Sequence, residues 1–105
     1  VKSIFIDIDE TICFNTGEDS RKNKDYSLAR PYLKRIEQVN SLYHSGHHIV
    51  YWTARGATTG IDWRDLTETQ LEQWGCLYHE LRLDKPAYDI FVDDKNINSE
   101  DFFEE

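Results

Sequence analysis

The chain has 105 residues, 39% of them apolar and 13% aromatic, and a formal net charge of −8. That length suits a single domain over residues 1–105 with a modest core, and the apolar content excludes global disorder. The acidic balance argues against a nucleic-acid binder, which carries a basic stripe, and no apolar run reaches the length of a membrane span. Cys13 and Cys76 are the only cysteines and read as reduced thiols rather than a disulfide framework; with no signal peptide at the start, a cytoplasmic protein is expected.

Taken in chain order, residues 3–8 (SIFIDI) are apolar until the acids arrive, as in a central parallel strand buried on both faces. Residues 13–29 are polar without helical period and read as a loop or small hairpin, long enough to cover a site. In residues 30–46, Leu33, Ile36, Val39, Asn40 and Tyr43 recur near helical spacing, with Pro31 suited to the first turn and Gly46 to the stop. Residues 47–54 (HHIVYWTA) form a second strand by β-branched and aromatic content, with Trp52 assigned to the core.

A second helix follows, ended by Gly75. Thr67 and Gln70 have capping-box spacing and Leu66 with Leu71 the spacing of a hydrophobic staple, while Asp62 offers an earlier start. Residues 77–83 make a third strand, Lys85 and Pro86 a turn, and residues 89–94 (DIFVDD) a fourth strand ending in acids. This alternation predicts an α/β fold: a Rossmann-like parallel sheet of about four strands with flanking helices.

Ligands of open parallel sheets bind outside the carboxyl ends of the strands. Asp7 and Asp9 end the first strand, Thr53 the second, and Asp93 with Asp94 the fourth; the long stem of Lys85 must reach back to the same edge. Alternation lets Asp7 and Asp9 share a side while Ile8 packs opposite. Four clustered carboxylates require a cation, and oxygen-only ligands favour Mg²⁺. A carboxylate can then attack phosphorus, a second can move protons, and Thr53 and Lys85 can hold the phosphoryl oxygens.

In their order, these residues resemble the haloacid dehalogenase superfamily of phosphohydrolases. DIDET (7–11) is similar to its Asp-x-Asp-x-Thr motif, Thr53 in YWTAR to the second motif, Lys85 in DKPAYDIF to the third, and VDD (92–94) to the fourth. The resemblance implies an Mg²⁺-dependent phosphomonoesterase with Asp7 as nucleophile, Asp9 as general acid/base, and Thr53 and Lys85 on the phosphoryl group. It places Mg²⁺ on Asp7, the Asp9 backbone carbonyl and Asp93, with Asp94 a direct or water-mediated partner. Glu10 stands where the family most often has Gly, as in the branch that dephosphorylates polymerase tails. With no interval able to hold an α/β cap domain, the chain is similar to small capless members, including phosphatases encoded with surface-polysaccharide genes. The implied partner is a phosphorylated small molecule such as a sugar phosphate, and a homo-oligomer is compatible with it.

Each group has a plainer reading on its own. Acids at strand ends also make turns and caps, and Arg55 is divided equally between pairing with Asp62 or Asp65 and binding substrate. Cys13, Cys76 and His79 lack the closed four-ligand spacing of a zinc site. A receiver-type phosphoacceptor uses the same residue types, but there the acid pair comes first and the lysine last. A catalytically silent binding relative usually loses a key carboxylate, and this chain keeps them all. A phosphoprotein phosphatase is the other alternative.

Overall fold

A computed structural model of the chain describes residues 1–15 and 25–103. Strand β1 (Ser3–Ile6) leads into Ile8, which is fully buried, as is Ile12 in the turn that follows. Strands β2 (Cys13–Asn15) and β3 (Ala29–Pro31) pair antiparallel, so the segment expected as a loop or small hairpin is a hairpin at its base. Residues 17–24, the centre of the expected cover over the site, lie outside the described residues.

Helix α1 (Leu33–His44) buries Arg35, Ile36 and Val39, and Gly46 ends it at a φ of 95°. Pro31 sits in β3 just before the helix rather than within its first turn, and Leu33 is exposed. Asn40 works as a bracket: its side chain donates to the Gly75 carbonyl and accepts from the Leu77 amide, both at 2.9 Å, tying α1 to the turn that follows the second helix. Strand β4 (His48–Trp52), helix α2 (Arg64–Gln73), strand β5 (Glu80–Arg82) and the one-turn helix α3 (Ser99–Phe103) complete the order.

Strands β1, β4 and β5 form a parallel three-stranded sheet in the order β1-β4-β5, with Ile4 opposite Ile49 and Tyr51 opposite Leu81. Ile6, Ile8, Ile49, Tyr51 and Leu81 from the sheet region meet Ile36 and Val39 of α1, Leu71 of α2 and Phe103 of α3 in one apolar cluster. At roughly 1.5–3 kcal/mol per fully buried aliphatic or aromatic side chain, this cluster is the main source of stability. Both cysteines are free and buried. Burial pushes their thiols up, Cys13 to about 12 and Cys76 to about 11. No helix among the described residues is long and apolar enough to cross a membrane.

Four expectations are corrected. Residues 89–94 form no strand; Ile90 is 81% and Val92 90% exposed. The reason is topological, because a parallel strand beside β1 needs the chain to return to the amino edge of the sheet. Such crossovers take about a dozen residues, and only residues 83–88 separate β5 from this segment. In consequence β1 is an edge strand of the described sheet, not a central one. Trp52 is only half-buried, its indole N–H donating to Asp84 Oδ1 at 2.8 Å. Finally, Thr67 and Gln70 do not cap α2, which starts near Asp62, where the carboxylate accepts from the Arg64 amide at 3.0 Å.

The loop after β4 turns sharply at Gly56, whose φ is 84° and where an added Cβ would lie 2.2 Å from the Ile61 carbonyl oxygen. Gly60, at φ 75°, has open space around it. Gly56→Ala should therefore cost about 2–4 kcal/mol, because the backbone must shift as well as adopt a left-handed conformation. Gly60→Ala should cost only about 1–2 kcal/mol. Urea denaturation of the two variants checks this; equal losses would contradict it.

Candidate active site

Where β1 ends, the chain makes a tight turn. The Thr11 and Ile12 amides donate to the Ile8 carbonyl at 3.2 and 2.9 Å, and Glu10 carries the strained backbone at a φ of 62°. A left-handed conformation costs a residue with a Cβ about 1–2 kcal/mol, a cost that Gly would not carry. The turn buries Ile8 and leaves Asp7 and Asp9 on the opposite side, as alternation predicts.

Asp7, Asp9, Thr53, Arg55 and Lys85 line one pocket of about 460 Å³ at the carboxyl edge of the sheet. Lys85 reaches the edge as required. Its amide donates to the Thr53 carbonyl at 3.3 Å, and its Nζ stands 3.5 Å from Asp7 Oδ1. The ammonium also lies 5.7 Å from the Trp52 ring and 5.5 Å from the Tyr88 ring. Thr53 is buried, and its hydroxyl oxygen accepts from the Arg55 amide at 3.2 Å.

Arg55 takes neither of its expected partners, Asp62 or Asp65. Its guanidinium grips Asp9 with two parallel bonds, Nε to Oδ2 at 3.0 Å and Nη2 to Oδ1 at 2.9 Å. Its Nη1 donates to Thr67 Oγ1 at 3.0 Å and Gln70 Oε1 at 2.6 Å, and its plane lies 4.6 Å from the Tyr26 ring. Gln70 in turn donates to the Tyr26 carbonyl at 2.6 Å. The residue is only 2% exposed, and four of its five N–H donors are spent on protein. It is placed to aim Asp9.

Asp9 retains acceptor capacity, since each carboxylate oxygen has two lone pairs and Arg55 takes one from each. The Cys13 thiol approaches Oδ1 at 3.6 Å. For Asp7, although 37% of the side chain reaches solvent, the pocket walls crowd the carboxyl enough that desolvation lifts it above the ordinary 3.8. The Lys85 ammonium pulls it down without cancelling that rise.

Asp93 and Asp94 do not line the pocket, and both are exposed. Among the described residues no three acidic, histidine or cysteine side chains are grouped to hold a metal ion. Mg²⁺ is usually held by one or two carboxylates and completes its six oxygens with water and phosphate, so Asp7 is a described acid that would suit it. Asp9 is already gripped by Arg55, Asp89 lines the pocket without grouping with them, and Asp93 and Asp94 stand apart. Tyr26, Thr58, Tyr88 and Asp89 also line the pocket. Sequence reading did not single them out, and Asp89 alone carried a signal, as the first acid of the DIFVDD run. His79 serves the fold: its Nδ1 accepts from the Ile49 amide at 3.0 Å, and it stacks on Tyr43 and His48.

No family model matches the chain, and no curated protein matches it. Among solved structures, the crystal structure of a structural-genomics target from Vibrio cholerae superposes with a TM-score of 0.81 at 24% identity. The match covers 98% of this chain and 88% of that one. At that identity the likeness carries the fold alone: a small α/β domain with a parallel sheet and flanking helices.

Two outcomes follow from the electrostatics. Arg55→Ala strands a part-buried carboxylate and leaves Gln70 Oε1 without its partner, so it should cost about 3–5 kcal/mol, with Arg55→Lys recovering only part of the loss. Chemical denaturation reads both, and a full recovery by lysine would contradict the bidentate role. For Asp7, a raised carboxyl means that the folded state holds its proton more tightly than the unfolded chain. The contribution of Asp7 to stability therefore falls as pH rises from 3.8 through the raised value, whereas Asn cannot ionise. In chelator, the thermal stability of Asp7→Asn relative to wild type should grow across that window; a constant difference would contradict the shift.

Proposed function

We propose that the chain is a phosphomonoesterase of the haloacid dehalogenase type, hydrolysing a phosphate ester through an aspartyl-phosphate on Asp7. The observation that carries this reading is the pairing of Asp7 with Lys85 at 3.5 Å beside a second carboxylate, Asp9, that is held by its own arginine. One acid is thus set beside a flexible cation, and its neighbour is clamped in orientation. That division of labour suits nucleophile and proton carrier.

In the first step an Asp7 oxygen attacks phosphorus while the bond to the leaving oxygen breaks, and Asp9 donates a proton to that oxygen. In the second step water attacks the phosphorus, Asp9 accepts its proton, and the bond to Asp7 breaks to release inorganic phosphate. Lys85 and the Thr53 hydroxyl meet the charge on the non-bridging oxygens. Arg55 acts through Asp9 and is a positioning residue.

The pocket volume of about 460 Å³ suits a small ester such as a sugar phosphate, with Tyr26 and Tyr88 as apolar walls. Sugar phosphates of surface-polysaccharide synthesis are the substrate class we assign. The bidentate hold on Asp9 also favours one alternative, a silent binding domain in which the pair is purely structural.

The discriminating experiment is phosphate release from a panel of sugar phosphates and an aryl phosphate. Asp7→Asn should lose activity to background. Asp9→Asn should lose about 10²–10⁴-fold on alkyl phosphates and far less on the aryl phosphate, whose leaving group needs no proton. Binding of sugar phosphates without turnover would select the silent domain instead.

A further inference from the structure

From Pro86 to Asn98 every residue is exposed. No backbone amide or carbonyl from 86 to 97 bonds to another backbone group among the described residues; the Asp94 amide turns back to the Asp93 side chain at 2.8 Å. The strap is nevertheless held at both ends. Lys85 is tied to Thr53, and beyond the strap Phe103 is buried in the core, with the Arg35 guanidinium 4.9 Å from its ring. Its middle carries Ile90, Phe91 and Val92, at 81, 40 and 90% exposure, in a sequence with strand character.

The sheet has an opening that matches. The Lys2 carbonyl accepts from the His48 amide at 2.9 Å. Strand alternation therefore turns the backbone groups of Ser3 and Phe5 outward, where they find no backbone partner among the described residues. Such an unprotected edge recruits another strand. The same chain's strap cannot fill it and finish the site. Asp89 already lies in the pocket at the carboxyl edge, so a run from Asp89 beside β1 heads toward the amino edge and carries Asp93 and Asp94 away from Asp7. A strap from a second molecule has no such crossover to make.

We infer that two copies of this chain exchange their straps, residues 89–94 of each pairing parallel to β1 of the other and bringing Asp93 and Asp94 beside the partner's Asp7. The exchange buries Ile90, Phe91 and Val92, pairs the open edge, and brings to Asp7 the carboxylates of Asp93 and Asp94, which lie outside its pocket among the described residues of one chain. It is reciprocal about a two-fold axis, as closed dimers are. The strand exchange rests on the sheet geometry alone; its catalytic value rests on the phosphatase reading above.

The test keeps the two apart. Light scattering at micromolar concentration should give two chain masses. With Phe5→Cys combined in turn with Phe91→Cys and Val92→Cys, oxidation should give a covalent dimer in at least one pair, since the native thiols are buried and stay protonated at neutral pH. Ile90→Asp with Val92→Asp should yield a folded monomer by circular dichroism, with Mg²⁺ affinity by calorimetry weaker by about tenfold or more. A monomeric wild type, an intrachain cross-link, or a dimer that survives both aspartates would each overturn the exchange. Dimer and cross-link without phosphate release leave the exchange standing and remove the phosphatase reading; turnover by a monomer does the reverse.

Discussion

The Arg55–Asp9 pair is the constraint on which the site depends. One guanidinium joins the turn after β1 to α2 through Thr67 and Gln70, and to the segment before β3 through the Tyr26 ring. Burying this much charge is costly, and the cost is offset only because four of the five N–H groups find acceptors with short, well-directed bonds. The payoff is rigidity at one carboxylate. Asp9 is pinned in plane while Asp7, two residues away, pairs with an ammonium on a flexible stem. Two aspartates two positions apart thereby acquire different freedom, a difference that the proposed roles of proton carrier and nucleophile would use.

Much of this was legible in the sequence because strand alternation and crossover topology constrain it strongly. The Asp7–Ile8–Asp9 alternation, Thr53 at the end of β4 and the reach of Lys85 follow from a period of two and from the carboxyl-edge rule. The partner of Arg55 was not legible, because a loop arginine pairs with whatever the fold brings to it, and Asp9 lies 46 positions away. Thr67 and Gln70 misled for a related reason. Their spacing fits a cap, but it also fits one turn of a helix presenting two polar groups to a single guanidinium.

The missing fourth strand has a different cause. Composition marks residues 89–94 as strand-forming, and that reading concerns the segment; whether it can pair in its own chain depends on the length of residues 83–88. Local propensity and chain connectivity therefore disagree at this point. The conflict leaves an exposed apolar strap and an open edge on one molecule, and it separates Asp93 and Asp94 from Asp7 and Asp9. Glu10 is a smaller conflict of the same kind, a side chain at a left-handed turn that Gly would fill without strain.

The central claim is covalent: phosphorus passes through Asp7. The direct measurement mixes the Asp9→Asn variant, whose second step lacks its base, with an activated aryl phosphate, quenches in acid, and maps the modified peptide by mass spectrometry. The account predicts one phosphoryl group on Asp7, removed by hydroxylamine. Phosphate released with no label on the protein, or with the label on any other residue, would contradict it.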